Sequence, residues 1–141
     1  MTTAPLTYRV SARADAASAS VRTAGDELAL ETRWQPSEPS GHPGPADLLA
    51  SAFAACLLKN VARSSALLPF AYESAEVTVI MHRQDAPPRF TALEYALHLV
   101  TNEPEHRVEL LHRNLQKFGT VYNTLAAVCE VTGTVTSSPP A

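Results

Sequence analysis

The chain has 141 residues, 45% apolar and 18% charged, which fits a folded domain with its own core and excludes a disordered segment. A formal net charge of -3 argues against nucleic acid or an anionic membrane as partner, because both require a basic surface. Two cysteines, Cys56 and Cys129, are too few for a disulfide framework, and Met1–Thr7 shows no basic segment leading into an apolar run, so a cytoplasmic protein with reduced thiols is expected.

Residues 1–34 read as strands. Leu6, Tyr8, Val10 and Ala12 alternate with Thr7, Arg9, Ser11 and Arg13, the pattern of a half-buried strand. Ala19 to Arg22 suits a second strand, and Gly25-Asp26 marks a turn. Leu28, Leu30, Thr32 and Trp34 then share one face of a third, giving an antiparallel meander. Residues 35–45 carry four prolines and two glycines and form a stiff connecting loop.

A central helix follows over 46–68, with Pro45 suited to its first turn and Asp47 to its dipole. From Leu48 to Leu58 nearly every side is apolar, which predicts burial all round. That stretch is about 16 Å long, too short to cross a bilayer. Lys59, Asn60, Arg63, Ser64 and Ser65 mark where the helix emerges, with Lys59 and Arg63 on a solvated face, and Pro69 ends it.

Residues 70–136 hold the remaining elements. Val77, Val79 and Met81 share a face of one strand; Leu93, Tyr95, Leu97 and Leu99 share a face of the next. Asn102, with Glu105 three residues on, predicts a capped helix with an apolar stripe of Val108, Leu111, Leu115 and Phe118 and a C-terminal glycine at Gly119. A short helix from Thr120 to Ala127 and a strand through Cys129, Val131, Gly133 and Val135 complete the domain, and 137–141 is a tail. Segregated runs of strands and helices predict an α+β fold in a single domain spanning 1–141.

Cys56 is the sharpest chemical feature. Free cysteine is among the most buried residue types, so the residue pattern by itself favours a small core side chain. A reactive thiol would need something to stabilise its ionised form. The helix dipole is too far off, about 16 Å back along the axis, so a cation must come from elsewhere. Arg9, Arg13, Arg22 and Arg33 are candidates, although each also reads as a solvated strand residue. Cys129 shares a face with Val131 and Val135 and reads as core. His106 and His112 diverge on their helix, and His82 with His98 would supply only two ligands, so no metal is expected. No phosphate loop, dinucleotide fingerprint or CxxC is present, so no cofactor is expected.

Two segments resemble the OsmC/Ohr family of osmotically induced and organic hydroperoxide resistance proteins. Gly44-Pro45-Ala46-Asp47-Leu48, running on to Ala54-Ala55-Cys56, is similar to the family's Asn-Pro-Glu-Glu-Leu opening and its Ala-Ala-Cys. Gly119-Thr120-Val121-Tyr122-Asn123-Thr124-Leu125 is similar to its Cys-Pro-Val-Ser-Asn-Thr-Leu. The resemblance implies an OsmC-like α+β fold, with antiparallel sheets around a buried central helix, in an intertwined homodimer. It also implies organic hydroperoxide reduction at Cys56, with Arg13 (or Arg22) stabilising the thiolate and a thiol or dithiol as reductant. The match is partial: Ala46 stands at the position of the glutamate that orients the arginine, and Gly119 at that of the second cysteine. Two readings follow, a one-Cys thiol peroxidase and a non-catalytic dimer that binds an apolar small molecule.

Overall fold

A computed structural model describes residues 6–141, so most of the Met1–Thr7 segment read for a leader lies outside the described residues. The chain divides into two compact units, Met1–Leu48 and Leu49–Ala141.

The first unit is an antiparallel meander of β1 (Ser11–Ala14), β2 (Ala19–Thr23) and β3 (Asp26–Ala29). The β2–β3 turn places Ala24 and Gly25 at φ 49 and 90, the paired positive values of a tight hairpin, one residue earlier than the expected Gly25-Asp26. Between β1 and β2, Asp15 accepts backbone N–H bonds from Ala17 and Ser18, which hold its carboxyl below the usual range. The strands are shorter than the sequence predicts. Leu6, Tyr8 and Val10 precede β1, Leu30 to Trp34 follow β3, and β1 is exposed throughout instead of half-buried. A ribbon of four- and five-residue strands has too little area to bury a face by itself.

Helix α1 (Pro45–Leu67) begins with a half capping box. The Gly44 carbonyl accepts the first helical bond from Leu48, and the Asp47 carboxylate reaches back to the Gly44 N–H at 3.0 Å. Pro45, at the first helical position, has no N–H to leave unpaired.

In the second unit β4 (Ser74–Asp85) pairs antiparallel with β5 (Pro88–Val100), and β6 (Glu130–Ser138) pairs with the other edge of β5. The β5–β6 pairing is parallel, which corrects the all-antiparallel expectation. The reason is the crossover: α2 (Glu105–Phe118) and α3 (Thr120–Ala126) carry the chain back to the end at which β5 starts. The predicted faces are present. Val77–Leu97–Val135, Val79–Tyr95–Gly133 and Met81–Leu93–Val131 form rows across the sheet, and the core joins Leu93, Tyr95, Leu97 and Leu99 to Val108, Leu111 and Leu115 of α2.

Helix α1 contributes one stripe to that core, Phe53, Leu57, Val61 and Ser64, at the spacing of a single helical face. Within one chain the helix is covered along that stripe alone, and Leu58 on another side is exposed. Ser64, expected where the helix emerges, is buried. The 23 residues of α1 span about 34 Å, so by length and composition the helix could cross a bilayer, unlike the shorter stretch read from sequence. Its core stripe gives the apolar character another use.

The C-terminal end of α1 is tied to the start of α2. Arg107 donates to the carbonyls of Leu68 and Pro69 at 2.7 and 2.9 Å, covering acceptors that a helix end leaves unpaired. Asn102 does not cap α2: Pro104 is the N-cap, without a side-chain cap bond. The polar work falls one residue earlier, where Thr101 donates to the Ala71 carbonyl and accepts from the Glu103 N–H.

Tyr95 stands at the centre of this unit. Its ring lies over Gly133, directly across the parallel pair, where an added Cβ would run into the ring carbons. Its hydroxyl meets His112 Nε2 at 2.6 Å. Burial, helped by neighbouring Tyr122, pushes the phenol well above its usual range, and burial lowers the His112 imidazole. A neutral His112 accepting from the phenol fits both directions. Gly133→Ala should lower stability by about 1–3 kcal/mol. Urea unfolding checks this: the midpoint should fall with the slope unchanged, and an unmoved midpoint would show that the ring has room to yield.

Candidate functional site

Cys56 sits half-buried on α1, one turn beyond Phe53. Phe53 stacks on Tyr122 of α3 with centroids 5.5 Å apart, and both rings also touch Tyr95. This stack fixes α1 against the α2–α3 corner, where Gly119 lies. An ideal Cβ built on Gly119 would stand 3.1 Å from Cys56 Sγ, 3.3 Å from Asn60 Nδ2 and 2.8 Å from Tyr122 Cβ. Gly119 is the C-cap of α2, as expected, with an extended backbone at φ -75. What asks for glycine here is space.

One turn on from Cys56, the Asn60 amide donates to the Cys56 carbonyl at 2.9 Å and approaches Sγ at 3.6 Å. Another turn on, the Arg63 guanidinium lies over the Phe118 ring, 4.4 Å from its centroid, with Lys117 at 5.2 Å. Cys56, Asn60 and Arg63 thus follow one face of the helix. Arg63 is exposed, as expected of a solvated face, and in addition lies over an aromatic ring. Asn60 drew no functional reading from sequence, though its four-residue spacing from Cys56 on a helix was a usable signal.

Cys129 is half-buried, and its thiol donates to the Phe90 carbonyl at 3.3 Å. Both cysteines are free thiols. Among the described residues no three His, Cys, Asp or Glu side chains converge as metal ligands. His82 instead pairs with Glu94, and His98 bonds Thr136 and Ser138.

The candidate arginines belong to the first unit. Ser11 faces Arg22 and Arg13 faces Ser20 across β1–β2, so Arg13 and Arg22 project from the same face as diagonal neighbours. Arg13 is exposed, with a loose 3.8 Å contact to Asp15. Arg33 is committed elsewhere: it grips Glu31 through Nε and Nη2 at 3.0 and 2.6 Å and holds that carboxyl down at about 2.

The sequence profile of the OsmC-like protein family matches residues 37–133, more than half of the chain. The chain belongs to the OsmC-like family. Its fold is similar to that of an OsmC-like protein from Mycoplasma pneumoniae, with TM-score 0.83 and 17% identity over 93% of this chain and 96% of that one. It is also similar to an organic hydroperoxide resistance protein OsmC from Legionella pneumophila (TM-score 0.74, 18% identity, 96% and 99% covered). A third likeness is to the organic hydroperoxide resistance protein OhrB of Bacillus subtilis (TM-score 0.69, 13% identity, 92% and 98% covered). A search of curated proteins gave no sequence match.

Within the OsmC-like frame, the corner geometry gives position 119 a chemical meaning. A Cβ-to-Sγ separation of roughly 3 Å is what one S–S bond of about 2.05 Å imposes. Gly119→Cys should therefore join Cys56 on mild oxidation, provided the backbone at the α2–α3 corner moves to separate the new Cβ from Tyr122 Cβ. Peptide mapping under non-reducing conditions would detect a 56–119 crosslink, and two persistent free thiols would contradict the geometry.

Proposed function

We propose that this OsmC-like protein is a one-Cys thiol peroxidase acting on organic hydroperoxides in a reducing compartment. The observation that carries this reading is the Cys56 thiol facing the corner position 119, with a glycine where a second sulfur would sit. Membership of a family that includes organic hydroperoxide resistance proteins supports the substrate class.

In this scheme the Cys56 thiolate attacks the terminal oxygen of ROOH. The O–O bond breaks, the alkoxide takes a proton and leaves as alcohol, and Cys56 becomes a sulfenic acid. An external thiol then condenses with it, releasing water and leaving a mixed disulfide. A second thiol, or the other arm of a dithiol, releases Cys56 reduced. Arg13, or Arg22 on the same face of the meander, supplies the cation that stabilises the thiolate. Ala46 has no carboxylate to orient that arginine, and Asp47 spends its carboxylate on the Gly44 N–H. This departure favours the second reading, a dimer that binds an apolar small molecule without turnover.

Stoichiometric organic hydroperoxide should convert Cys56 to a sulfenic acid that a thiol trap captures by intact mass. Cys56→Ser should abolish both capture and turnover, and Cys129→Ser should keep most of each. An inert Cys56 would turn the search to ligands, and equal loss from both variants would sink the one-Cys scheme.

We also propose a homodimer. Leu6, Tyr8, Val10, Trp34 and Leu58 are exposed apolar side chains that a second chain would cover. Sedimentation at micromolar concentration should give a dimer mass, and a monomer would contradict the proposal.

A further inference from the structure

Asparagine is a poor choice for the interior of a helix, because its amide competes with backbone bonding. Asn60 nevertheless sits mid-helix in α1, half-buried, between Lys59 and Val61. Its Nδ2 carries two hydrogens and has two acceptors within reach, both from Cys56: the carbonyl oxygen at 2.9 Å and Sγ at 3.6 Å. The larger radius of sulfur makes the longer distance an ordinary N–H···S contact. One bond anchors the amide to its own helix, so its second hydrogen is aimed without a mobile side chain having to be ordered at the moment of reaction. Gly119 roofs this pair, since its missing Cβ would lie against both Sγ and Nδ2.

We propose that Asn60 is a positioning residue for Cys56, a fixed amide donor that favours the charged sulfur and aims it at the Gly119 corner. A hydrogen bond to the ionised form stabilises that form, and here the donor is permanent and shielded on one side from competing water. Arg63 adds a cation on the same helical face, held over the Phe118 ring. The inference deepens the peroxidase reading and rests on it for its functional meaning, but its physical content concerns the thiol alone.

The test uses the full-length protein in a Cys129→Ser background, so that Cys56 is the single thiol. Iodoacetamide alkylation is followed across a pH series by mass, beside urea unfolding of each protein. Asn60→Leu removes the donor and keeps the site dry. The alkylation profile should move about one pH unit upward. At pH 7 the rate should fall about three- to fourfold, because the more basic thiolate recovers part of the loss through greater nucleophilicity. Asn60→Asp, which puts a like charge beside the sulfur, should move the profile further in the same direction. If Asn60→Leu does not fold, Asn60→Ala serves, since alanine favours the helix. A purely structural role would change the urea midpoint and leave the pH profile in place, and coincident profiles across the series would overturn the proposal. Organic hydroperoxide is added to the same proteins in parallel. A Cys56 that ignores hydroperoxide yet shows the displaced alkylation profiles would support Asn60 as the donor while sinking the peroxidase reading.

Discussion

The packing of one aromatic ring over bare backbone organises the second unit. Tyr95 lies on Gly133 because the parallel register of β5 and β6 puts them in the same row. From that seat its ring touches Phe53 of α1, Tyr122 of α3 and His112 of α2. Three helices thus take their positions from a single side chain. Phe53 is one turn before Cys56, and Tyr122 is one residue-triplet past Gly119, so the same contacts set the spacing between the thiol and the corner that faces it. The separation of Cys56 from position 119 thus depends on a residue of the sheet that lies in neither element.

The polar groups in this arrangement are economical. Arg107 covers the carbonyls at the end of α1, Asp47 covers an N–H at its start, and Asn60 bonds within the helix itself. Arg107 and Asp47 satisfy backbone groups at helix ends that would otherwise need water, whereas Asn60 adds a second bond to a carbonyl inside the helix. The same residues show why nearby sequence positions cannot be exchanged freely between structural and chemical duties. Asp47 is a carboxylate one position from the family's glutamate, yet it is engaged in holding the helix entrance.

Much of the fold was legible in the sequence. Period-two alternation marked the faces of β4, β5 and β6 correctly, and the stripe of α2 held apart from Phe118, which is exposed. Strand direction was not legible, because alternation is blind to polarity and only the crossover through α2 and α3 determines it. The apolar run of α1 did not reveal which side faces its own chain, because composition cannot distinguish a helix covered on every side from one with a single stripe in its own core. Asn102 had the right spacing for a capping box, but Pro104 took the N-cap position. At the site, the prominence of Cys56 and the glycine at 119 could be read from motif resemblance. Asn60 drew no functional reading, although its four-residue spacing from Cys56 on a predicted helix already puts both on one face.

The glycine at 119 also separates the energetics of the fold from its oxidation state. A disulfide between 56 and 119 would tether α1 to the α2–α3 corner and, by closing so long a loop, would add about 4 kcal/mol to stability in the chain-entropy account. A protein built that way is tougher when oxidised than when reduced, so its unfolding and its clearance by proteolysis track the redox poise around it. With a single sulfur at the corner, oxidation of Cys56 changes the mass and polarity of one side chain and leaves the chain's connectivity as it was. The stability of the fold is then not tied to a crosslink that forms and breaks with the redox poise.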